Sequence, residues 1–416
     1  MVTLGCRTNQ YESQAYIDQL LAMGYQKAEE EESADLCIVN TCTVTENAHS
    51  SSKLAIRQLS KKNPGAEIVV TGCAAQKTPE VFEKMPGVLK VVSNADKENL
   101  LNLAFPEEQW PEFSISQFEA HTRAFVKVQD GCNSYCTYCI IPYVRGRSRS
   151  RRVEDIVKEV EGLVANGFLE IVLTGINIGD FDGAPKEEEA PVRLAELVRV
   201  IDGIQGVKRL RLSSIDPDEV DDHLVEAILE GRSTCPSLHI VLQSGSNAIL
   251  KRMNRKYTAQ MFIDAVEKMR KSHPDFTFTT DVIVGFPGET EEDFEDTLHL
   301  LDKVRFAKVH MFPYSKRERT RAALYPNQVA QEVIQERKAK VLEAAEKGAF
   351  SLREEYVGRQ MKVLLEAKEE QEGVFFGHTE NFLPVFVEGK GLRPNTIVEV
   401  NLLQNTAEGL RGEVIL

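Results

Sequence analysis

The chain has 416 residues, of which 42% are hydrophobic, and a formal net charge of −14 at neutral pH. This length predicts two to four domains, and the hydrophobic content excludes global disorder. The acidic balance argues against indiscriminate binding to nucleic acid, although a specific binding site depends on local charge and stays open.

Neither a secretory leader nor a membrane span is predicted. Met1 is followed at once by a short strand-like run, and no apolar run approaches the roughly 18 to 20 residues that cross a membrane. We therefore expect a cytoplasmic protein without a membrane partner. In a reducing cytoplasm the eight cysteines are expected to be metal ligands rather than disulfides.

Residues 1–107 predict a first domain with an open parallel α/β sheet, because short apolar runs alternate with helix-like segments. Asn9 and Glu12 have the spacing of a capping box at the start of the first helix. The predicted strands cover residues 2–5, 35–40, 67–72 and 89–93, and the predicted helices cover residues 9–24 and 45–62.

Three cysteines of this domain each follow a predicted strand: Cys6, Cys42 and Cys73. The carboxyl ends of parallel strands meet at one edge of a sheet, where ligands bind, so these thiols are expected to converge on one site. Scattered cysteines are more often buried in a core, and that alternative stays open. Cys37 lies inside a predicted strand and is interpreted as such a core residue. Cys235 is not placed, and neither is assigned to a metal.

Residues 105–120 lack clear periodicity and are interpreted as a linker to a second domain, which covers residues 118–347. The lone Trp110 lies in this linker. We expect it to pack between domains, with stacking on a substrate as the alternative.

The second domain opens on Cys132, Cys136 and Cys139, three thiols within eight residues. Thiolates suit iron–sulfur clusters, zinc or Cu(I). Structural zinc requires four ligands, and no His or fourth Cys is near in sequence. A [4Fe–4S] cluster normally takes four thiolates, so three leave one iron open to a ligand that is not protein. An iron–sulfur cluster is favoured here and at the three cysteines of the first domain. Structural zinc and chance composition remain alternatives.

The C-x-x-x-C-x-x-C spacing, with Tyr138 before the last cysteine, resembles the signature of radical S-adenosylmethionine (SAM) enzymes. This resemblance implies that SAM binds the open iron. Electron injection then cleaves a C–S bond of SAM and gives a 5′-deoxyadenosyl radical.

Six strand–helix repeats, of which the first strand precedes the cysteine loop, predict an open, partial (β/α)6 barrel, because they are too few for a closed eight-stranded barrel. The radical-SAM resemblance implies that its strand ends approach the cofactor, which assigns SAM binding to Thr174, Gly175, Ser214 and Gln243. Ordinary loop chemistry is the alternative for these four residues. The predicted strands cover residues 124–129, 168–175, 207–214, 238–244, 276–285 and 306–312.

Five arginines lie within eight residues directly after the cysteine loop. They are interpreted as a basic rim that receives an anionic RNA substrate, and a solvated, salt-bridged segment is the alternative. The substrate contacts are assigned to Arg145, Arg147, Arg149 and Arg151, with Arg152 beside them.

A connecting helix is predicted for residues 327–356, which are rich in good helix formers. Five short strands then predict a third domain, residues 350–416, as a small antiparallel β-barrel of OB-like character. This segment has 7 Lys and Arg against 11 Asp and Glu, so we expect it to contact RNA through few side chains, such as Lys390, Arg393 and Arg411.

The order of the three parts resembles the radical-SAM methylthiotransferases, whose carboxyl-terminal barrel is of the TRAM type. The motifs that carry the resemblance are L-G-C-R-T-N-Q-Y-E-S, V-N-T-C-T-V-T, T-G-C-A-A-Q and L-Q-S-G-S-N-A-I-L-K-R-M-N-R-K-Y-T. It implies two [4Fe–4S] clusters, SAM, a tRNA substrate and a flavodoxin- or ferredoxin-like electron donor. R-L-S-S-I-D-P and H-M-F-P-Y-S-K-R-E-R-T look most like the branch acting on threonylcarbamoyladenosine at tRNA position 37.

Three other functions stay open on the sequence. The same scaffold can methylthiolate isopentenyladenosine in tRNA or an aspartate of a ribosomal protein. A non-enzymatic iron–sulfur module that binds RNA is the third.

Overall fold

The computed structural model describes residues 1–29, 32–118, 122–186, 189–371 and 373–415. Within these ranges, the side chains of residues 367–371 are not described. The end of the predicted linker, Glu119 and Ala120, lies outside the described residues.

The first domain is an open sheet of four parallel strands in the order β1-β2-β3-β4, which confirms the predicted architecture. Apolar side chains of β2 and β3, such as Val39 and Val70, form its core. The strands are β1 (Val2–Thr3), β2 (Leu36–Thr41), β3 (Glu67–Gly72) and β4 (Val88–Val91), and the helices are α1 (Arg7–Ala22), α2 (Glu46–Lys62), α3 (Cys73–Lys77), α4 (Pro79–Glu83) and α5 (Leu100–Ala104).

The predicted capping box at Asn9 is wrong. Helix α1 begins two residues earlier, with Cys6 in the capping position. The amide nitrogen of Asn9 donates instead to the backbone oxygens of Leu4 (2.6 Å) and Thr41 (3.1 Å), and Glu12 is fully buried. Both residues therefore fix the loop around Cys6 and the domain interface rather than the helix start.

Trp110 packs within the first domain and not between domains. Its ring lies against Tyr25 and Phe105, with ring centroids 5.9 and 6.1 Å away, and its indole nitrogen donates to the backbone oxygen of Phe105.

The second domain has six parallel strands in two sheets, β5-β8-β9 and β10-β11-β12. Isolated bridges, such as that between Ile215 and Ile240, connect the two sheets. The part of the chain that the structure describes thus forms the expected partial barrel. Its strands are β5 (Arg123–Lys127), β8 (Glu170–Thr174), β9 (Arg209–Leu212), β10 (Ser237–His239), β11 (Thr277–Val284) and β12 (Lys308–Pro313).

The predicted first barrel strand is divided in two. A short ribbon, β6 (Gln129–Asp130) paired antiparallel with β7 (Arg149–Ser150), closes the base of the cysteine loop. Helix α12 begins with the predicted capping box of Thr290 and Asp293. The helices are α6 (Ile141–Val144), α7 (Val153–Ala165), α8 (Leu194–Asp202), α9 (Asp222–Glu230), α10 (Asn247–Arg252), α11 (Ala259–Ser272), α12 (Glu291–Val304) and α13 (Gln331–Glu354).

The third domain is a closed five-stranded barrel in the order β13-β14-β15-β17-β16. Four of its neighbouring pairs are antiparallel, but β15 and β17 are parallel, which corrects the expectation of an antiparallel barrel throughout. The connecting helix α13 ends inside this domain's core, where Leu352 and Tyr356 pack. The strands are β13 (Gln360–Gln371), β14 (Val374–Thr379), β15 (Pro384–Glu388), β16 (Ile397–Asn405) and β17 (Leu410–Val414).

The third domain docks on the beginnings of the second domain's strands through β13, the end of β14 and the residue that follows β14. Buried Arg209 donates to the backbone oxygens of His378 (2.9 Å) and Lys362 (2.8 Å). Arg211 donates to those of Thr379 and Glu380. The third domain therefore covers the end of the partial barrel opposite to the strand carboxyl ends.

Among the described residues, no helix is long and apolar enough to cross a membrane.

Replacing Arg209 by Met should destabilise this docking. The substitution leaves two buried backbone oxygens without their donors, which costs about 1–3 kcal/mol. We expect a lower unfolding temperature and faster protease cleavage within α13. Arg393→Met, at an exposed position of the third domain, is the control, and equal stability of the two variants would contradict the docking role.

Candidate active site

The three cysteines of the first domain lie at one edge of its sheet. Cys42 follows β2, Cys73 follows β3 as the first residue of α3, and Cys6 precedes α1. The thiol of Cys6 lies 3.8 Å from the side-chain oxygen of Asn9. That oxygen also accepts from Arg145, which donates to the sulfur of Cys73 as well. The structure therefore brings Cys6, Cys42 and Cys73 together, and we call them the first thiol set.

Tight backbone packing positions this set. A Cβ atom on Gly5 would lie 2.8 Å from the sulfur of Cys42, and Gly5 has a φ of +98°. A Cβ atom on Gly72 would lie 2.4 Å from the backbone oxygen of Thr41, with a φ of +96°. Glycine is the residue that tolerates such close approach with positive φ, so both glycines let neighbouring loops place their cysteines at one edge.

The second thiol set is Cys132, Cys136 and Cys139, in the loop after β6. The backbone nitrogen of Cys139 donates to the oxygen of Cys136 (3.0 Å), so this part of the loop is a tight turn. Cys73 packs against Ile140 and Val144, just beyond this loop, which places the two thiol sets on facing sides of the domain interface.

Burial favours the protonated form of four of these thiols. It raises the pKa of Cys42 to about 11 and also raises the pKa values of Cys73, Cys132 and Cys139. Metal ligation must then release protons, because thiolates are the ligating form.

The donor sets fit iron–sulfur clusters better than zinc. Both sets contain three soft thiol donors. In each set at least one cysteine is accessible to solvent, since Cys6 is exposed and Cys132 is half-buried. Within the described ranges, no group of three His, Cys, Asp or Glu side chains is arranged to hold a single metal ion. In an iron–sulfur cluster each thiolate binds a different iron, so the sulfur atoms can lie farther apart than they do around a single metal ion. The zinc alternative is not supported.

A buried ionic cluster joins the two sites, and Arg145 lies at its centre. Its Nε donates to the sulfur of Cys73 (3.2 Å), and one terminal nitrogen contacts Glu12 (3.1 Å) and Asp130 (2.9 Å). Lys97 of the first domain pairs with the same two carboxylates. Asp130 lies two residues before Cys132, so one guanidinium connects a thiol of the first set to the base of the second loop.

The cations of this cluster keep both carboxylates ionised. Burial alone would raise the pKa of Glu12, but Lys97, Arg145 and Lys127 outweigh it and lower the pKa to about 2. Burial opposes ionisation of Asp130 too, and Arg145 and Lys97 hold its pKa well below the ordinary value.

The arginines after the cysteine loop do not act as one exposed rim. Arg145 is fully buried, which removes it from the predicted RNA contacts. Arg151 is mostly buried, pairs with Glu159 and lies over the ring of Tyr11. It is therefore part of a salt-bridged segment, which was the alternative to an RNA contact. Arg147 and Arg149 are exposed, and Arg149 also contacts Asp130 (3.2 Å).

The four residues assigned to SAM lie at consecutive strand ends. Thr174 ends β8 and is buried, Gly175 follows it, and Ser214 follows β9 half-buried. Gln243 has a positive φ of 63°, and its side-chain oxygen is buried without a hydrogen-bond partner among the described residues. An orphaned buried oxygen beside half-buried strand ends is what a polar cofactor would satisfy.

Gly175 leaves no space for a side chain because Gln129 packs against it. A Cβ atom there would lie 2.9 Å from the side-chain oxygen of Gln129, which itself accepts from the backbone nitrogens of Ile176 and Asn177 (both 3.0 Å). This contact holds the loop after β8 against the base of the cysteine loop.

Sequence reasoning missed Arg255. Its guanidinium donates to the sulfur of Cys136 (2.8 Å), pairs with Asp216 and donates to the hydroxyl of Tyr257 (2.9 Å). The available signal was the motif M-N-R-K-Y-T, which carried the family resemblance but no residue assignment.

A carboxyl group close to this arginine was also missed. Burial, and then the negative charge of Asp216, raises the pKa of Glu219 to about 7. Its carboxylate accepts from the side chain of Asn177 (2.7 Å). This carboxyl group lies in the loop after β9, near the strand ends assigned to SAM.

Replacing Glu12 by Gln should destabilise the protein by about 3–5 kcal/mol at neutral pH, because it leaves buried cations without their counter-ion. The loss should shrink in acid. A carboxylate with a folded-state pKa of about 2 against an ordinary 4.5 stabilises fully above about pH 4.5 and loses that contribution as the pH falls toward 2.

Urea unfolding of both proteins at several pH values measures this difference. Glu80→Gln, at an exposed position of the same domain, is the control and should behave like the parent protein. A pH-independent difference for Glu12→Gln would contradict the ionic role.

Comparison with known proteins relates this geometry to a family. The radical SAM superfamily model matches residues 126–301, and a model described as uncharacterized protein family UPF0004 matches residues 1–93. Two proteins named threonylcarbamoyladenosine tRNA methylthiotransferase MtaB match nearly end to end. That of Chlamydia pneumoniae is 49% identical over 100% of this chain and 97% of its own length. That of Bacillus subtilis (strain 168) is 37% identical over 97% and 93%.

A tRNA-2-methylthio-N(6)-dimethylallyladenosine synthase of Clostridioides difficile (strain 630) is 36% identical over 99% of this chain and 90% of its own length. Among solved structures, the radical SAM methyltransferase TsrM of Kitasatospora setae aligns with a TM-score of 0.53 and 15% identity, covering 68% of this chain and 64% of that one. That likeness supports the fold of the barrel. The chain belongs to the radical-SAM tRNA methylthiotransferase family, in which it resembles the threonylcarbamoyladenosine branch.

Proposed function

We propose that this protein transfers a methylthio group to C2 of N6-threonylcarbamoyladenosine at tRNA position 37, using SAM and two [4Fe–4S] clusters. The observation that supports this most directly is the pair of three-thiol sets on facing sides of one interface, with Arg145 between them. Full-length similarity to proteins named for this reaction agrees with it.

The reaction explains why two such sets are needed. The C2–H bond of an adenine carries no acidic proton, so a general base does not break it. The sulfur must also wait close to that carbon until the bond opens. When bound, the clusters and SAM supply a one-electron route to breaking the C–H bond and a sulfur that can be methylated.

We assign the second set, Cys132, Cys136 and Cys139, to the cluster that binds SAM. The first set, Cys6, Cys42 and Cys73, is assigned to the auxiliary cluster. Arg145 then donates to a thiolate of the first set and fixes its distance from the second loop. Arg255 plays the corresponding part at Cys136, to whose sulfur it donates a hydrogen bond.

Cofactor orientation is assigned to the strand ends. Gly175 lets the loop after β8 pack closely against Gln129. Ser214 and Gln243 offer polar groups from the next strand ends. The buried side-chain oxygen of Gln243 can accept a hydrogen bond from the cofactor, and this would remove the cost of an unsatisfied buried acceptor. Thr174 contributes through its position at the end of β8.

Contacts to tRNA are assigned to the exposed arginines Arg147 and Arg149, which follow the second thiol set directly. Phosphate attraction there needs only local positive charge and is compatible with an acidic chain. An external one-electron donor of flavodoxin or ferredoxin type completes the proposal, because cleavage of SAM consumes an electron that the chain does not supply.

Nucleoside analysis of tRNA tests the assignment. A bacterial host that lacks its own methylthiotransferases should gain 2-methylthio-threonylcarbamoyladenosine when it expresses this chain, as measured by mass spectrometry. Gain of the methylthiolated isopentenyl nucleoside, or of a modified ribosomal aspartate, would replace the proposed substrate. Reconstituted protein that produces no 5′-deoxyadenosine would contradict the enzymatic proposal as a whole.

Replacing Cys73 by Ala should remove one cluster and leave the other. We expect anaerobically reconstituted protein to fall from about eight to about four iron atoms per chain. Cleavage of SAM to 5′-deoxyadenosine should persist while methylthiolation is lost. Cys37→Ala is the matched control, since Cys37 is buried in the core of the same sheet and should leave the iron content unchanged. Equal loss of both activities would contradict this division between the sets.

Replacing Arg147 by Ala should weaken tRNA binding more at low salt than at high salt. One lost phosphate contact reduces the slope of log K against log salt concentration by about 1. Fluorescence anisotropy across a salt series measures the slope, with Arg57→Ala as a control at an exposed position of α2. Salt-independent weakening would indicate a packing role for Arg147 instead.

A further inference from the structure

Arg7 extends from the first domain into the partial barrel of the second. It is the first residue of α1 and directly follows Cys6. Its guanidinium carbon lies 5.4 Å from the ring centroid of Phe125, in the middle of β5. A side chain beside the first thiol set therefore ends among the barrel's interior residues.

The guanidinium lines a small cavity of mixed character. Phe125 and Val172 contribute apolar walls, and His239 and Thr279 contribute polar groups from β10 and β11. The cavity has about 30 Å³ of space for water-sized molecules, which corresponds to roughly two waters. This space suits a small polar group better than a whole nucleobase.

Arg7 differs from the other two arginines of this cavity. Arg123 pairs with Glu366 (3.3 Å), and Arg211 pairs with Glu170 (2.7 Å). Across the described part of the chain, no carboxylate lies within ion-pair distance of Arg7, whose recorded contact is the face of Phe125. Arg7 is exposed, so an anionic ligand can reach its guanidinium, and a charge-assisted hydrogen bond to such a ligand is stronger than one between neutral groups.

We propose that Arg7 binds the carboxylate of the threonyl group on the substrate nucleoside and thereby sets the specificity for that nucleoside. This inference rests on the proposed function. The guanidinium can hold a carboxylate through two parallel hydrogen bonds. C2 and the N6 substituent flank the same ring nitrogen of adenine, so a contact at the substituent beside Cys6 is compatible with C2 facing the first thiol set.

The same contact rejects an uncharged substituent. An isopentenyl group carries no acceptor, so it would leave the cation of Arg7 unpaired in the cavity. Sites built to hydrogen-bond a particular group discriminate strongly against analogues that lack it. Arg7 is then a specificity-determining residue and takes no part in breaking the C–H bond.

The test compares two RNAs that differ in one charge. Anticodon stem-loops carry threonylcarbamoyladenosine either with its free carboxylate or as the methyl ester. Affinity for cluster-reconstituted protein is measured by fluorescence anisotropy. Wild-type protein should bind the carboxylate RNA at least tenfold more tightly than the ester. Arg7→Gln should abolish this preference by weakening only the carboxylate RNA, and Arg7→Lys should retain part of it.

Arg57→Gln is the charge-matched control and should keep the wild-type preference. Iron content and the circular dichroism spectrum verify that Arg7→Gln still folds and holds its clusters. If it does not, Arg7→Lys takes its place, and an undiminished preference in that variant overturns the inference. Equal affinity of wild-type protein for the two RNAs, or an unchanged preference in Arg7→Gln, would overturn the inference.

The proposed function fails in a different way. If wild-type protein methylthiolates another nucleoside and leaves threonylcarbamoyladenosine unmodified, the substrate assignment is wrong and Arg7 has no carboxylate to bind. If it methylthiolates threonylcarbamoyladenosine but Arg7→Gln keeps the carboxylate preference, the function stands and only the role of Arg7 is rejected.

Discussion

The buried contact between Arg145 and its partners is the interaction on which the alignment of the two sites depends. Its guanidinium joins Cys73 and Glu12 of the first domain to Asp130 of the second. A buried ionic cluster contributes little net stability relative to an apolar one, but removing one member leaves uncompensated charge and costs several kcal/mol. The cluster therefore favours one relative placement of the domains, which is the requirement for two separately held thiol sets to serve one substrate.

The two ends of the partial barrel have different roles. The third domain covers the beginnings of the strands, where Arg209 and Arg211 donate to backbone oxygens of β13, β14 and the residue after β14. Both thiol sets, the strand ends assigned to SAM and the exposed Arg147 and Arg149 lie toward the other end. In parallel α/β sheets and barrels the chemistry gathers at the strand carboxyl ends. The docking contacts therefore lie apart from the thiol sets and the strand ends assigned to SAM, although Arg211 also lines the cavity that Arg7 enters.

Sequence reasoning succeeded where local pattern determines position. Cys42 and Cys73 follow strands whose apolar runs are evident, and parallel strands place such residues at a common edge. It failed at Asn9, where a capping pattern concealed a residue that holds the loop around Cys6. It failed again at Arg145, because a basic run in the sequence does not distinguish a guanidinium facing solvent from one facing buried carboxylates.

The sequence by itself determined the three-part order, the strand and helix types, and the two groups of three cysteines. These follow from the periodicity of apolar residues and from the chemistry of thiols, both of which are local properties of the chain. Only the tertiary structure decided that the two groups face one another, that Arg145 and Arg255 donate to their sulfurs, and that Arg7 enters the barrel. Each of these contacts joins residues more than a hundred positions apart or on different domains, so it depends on how the domains pack and not on any stretch of sequence.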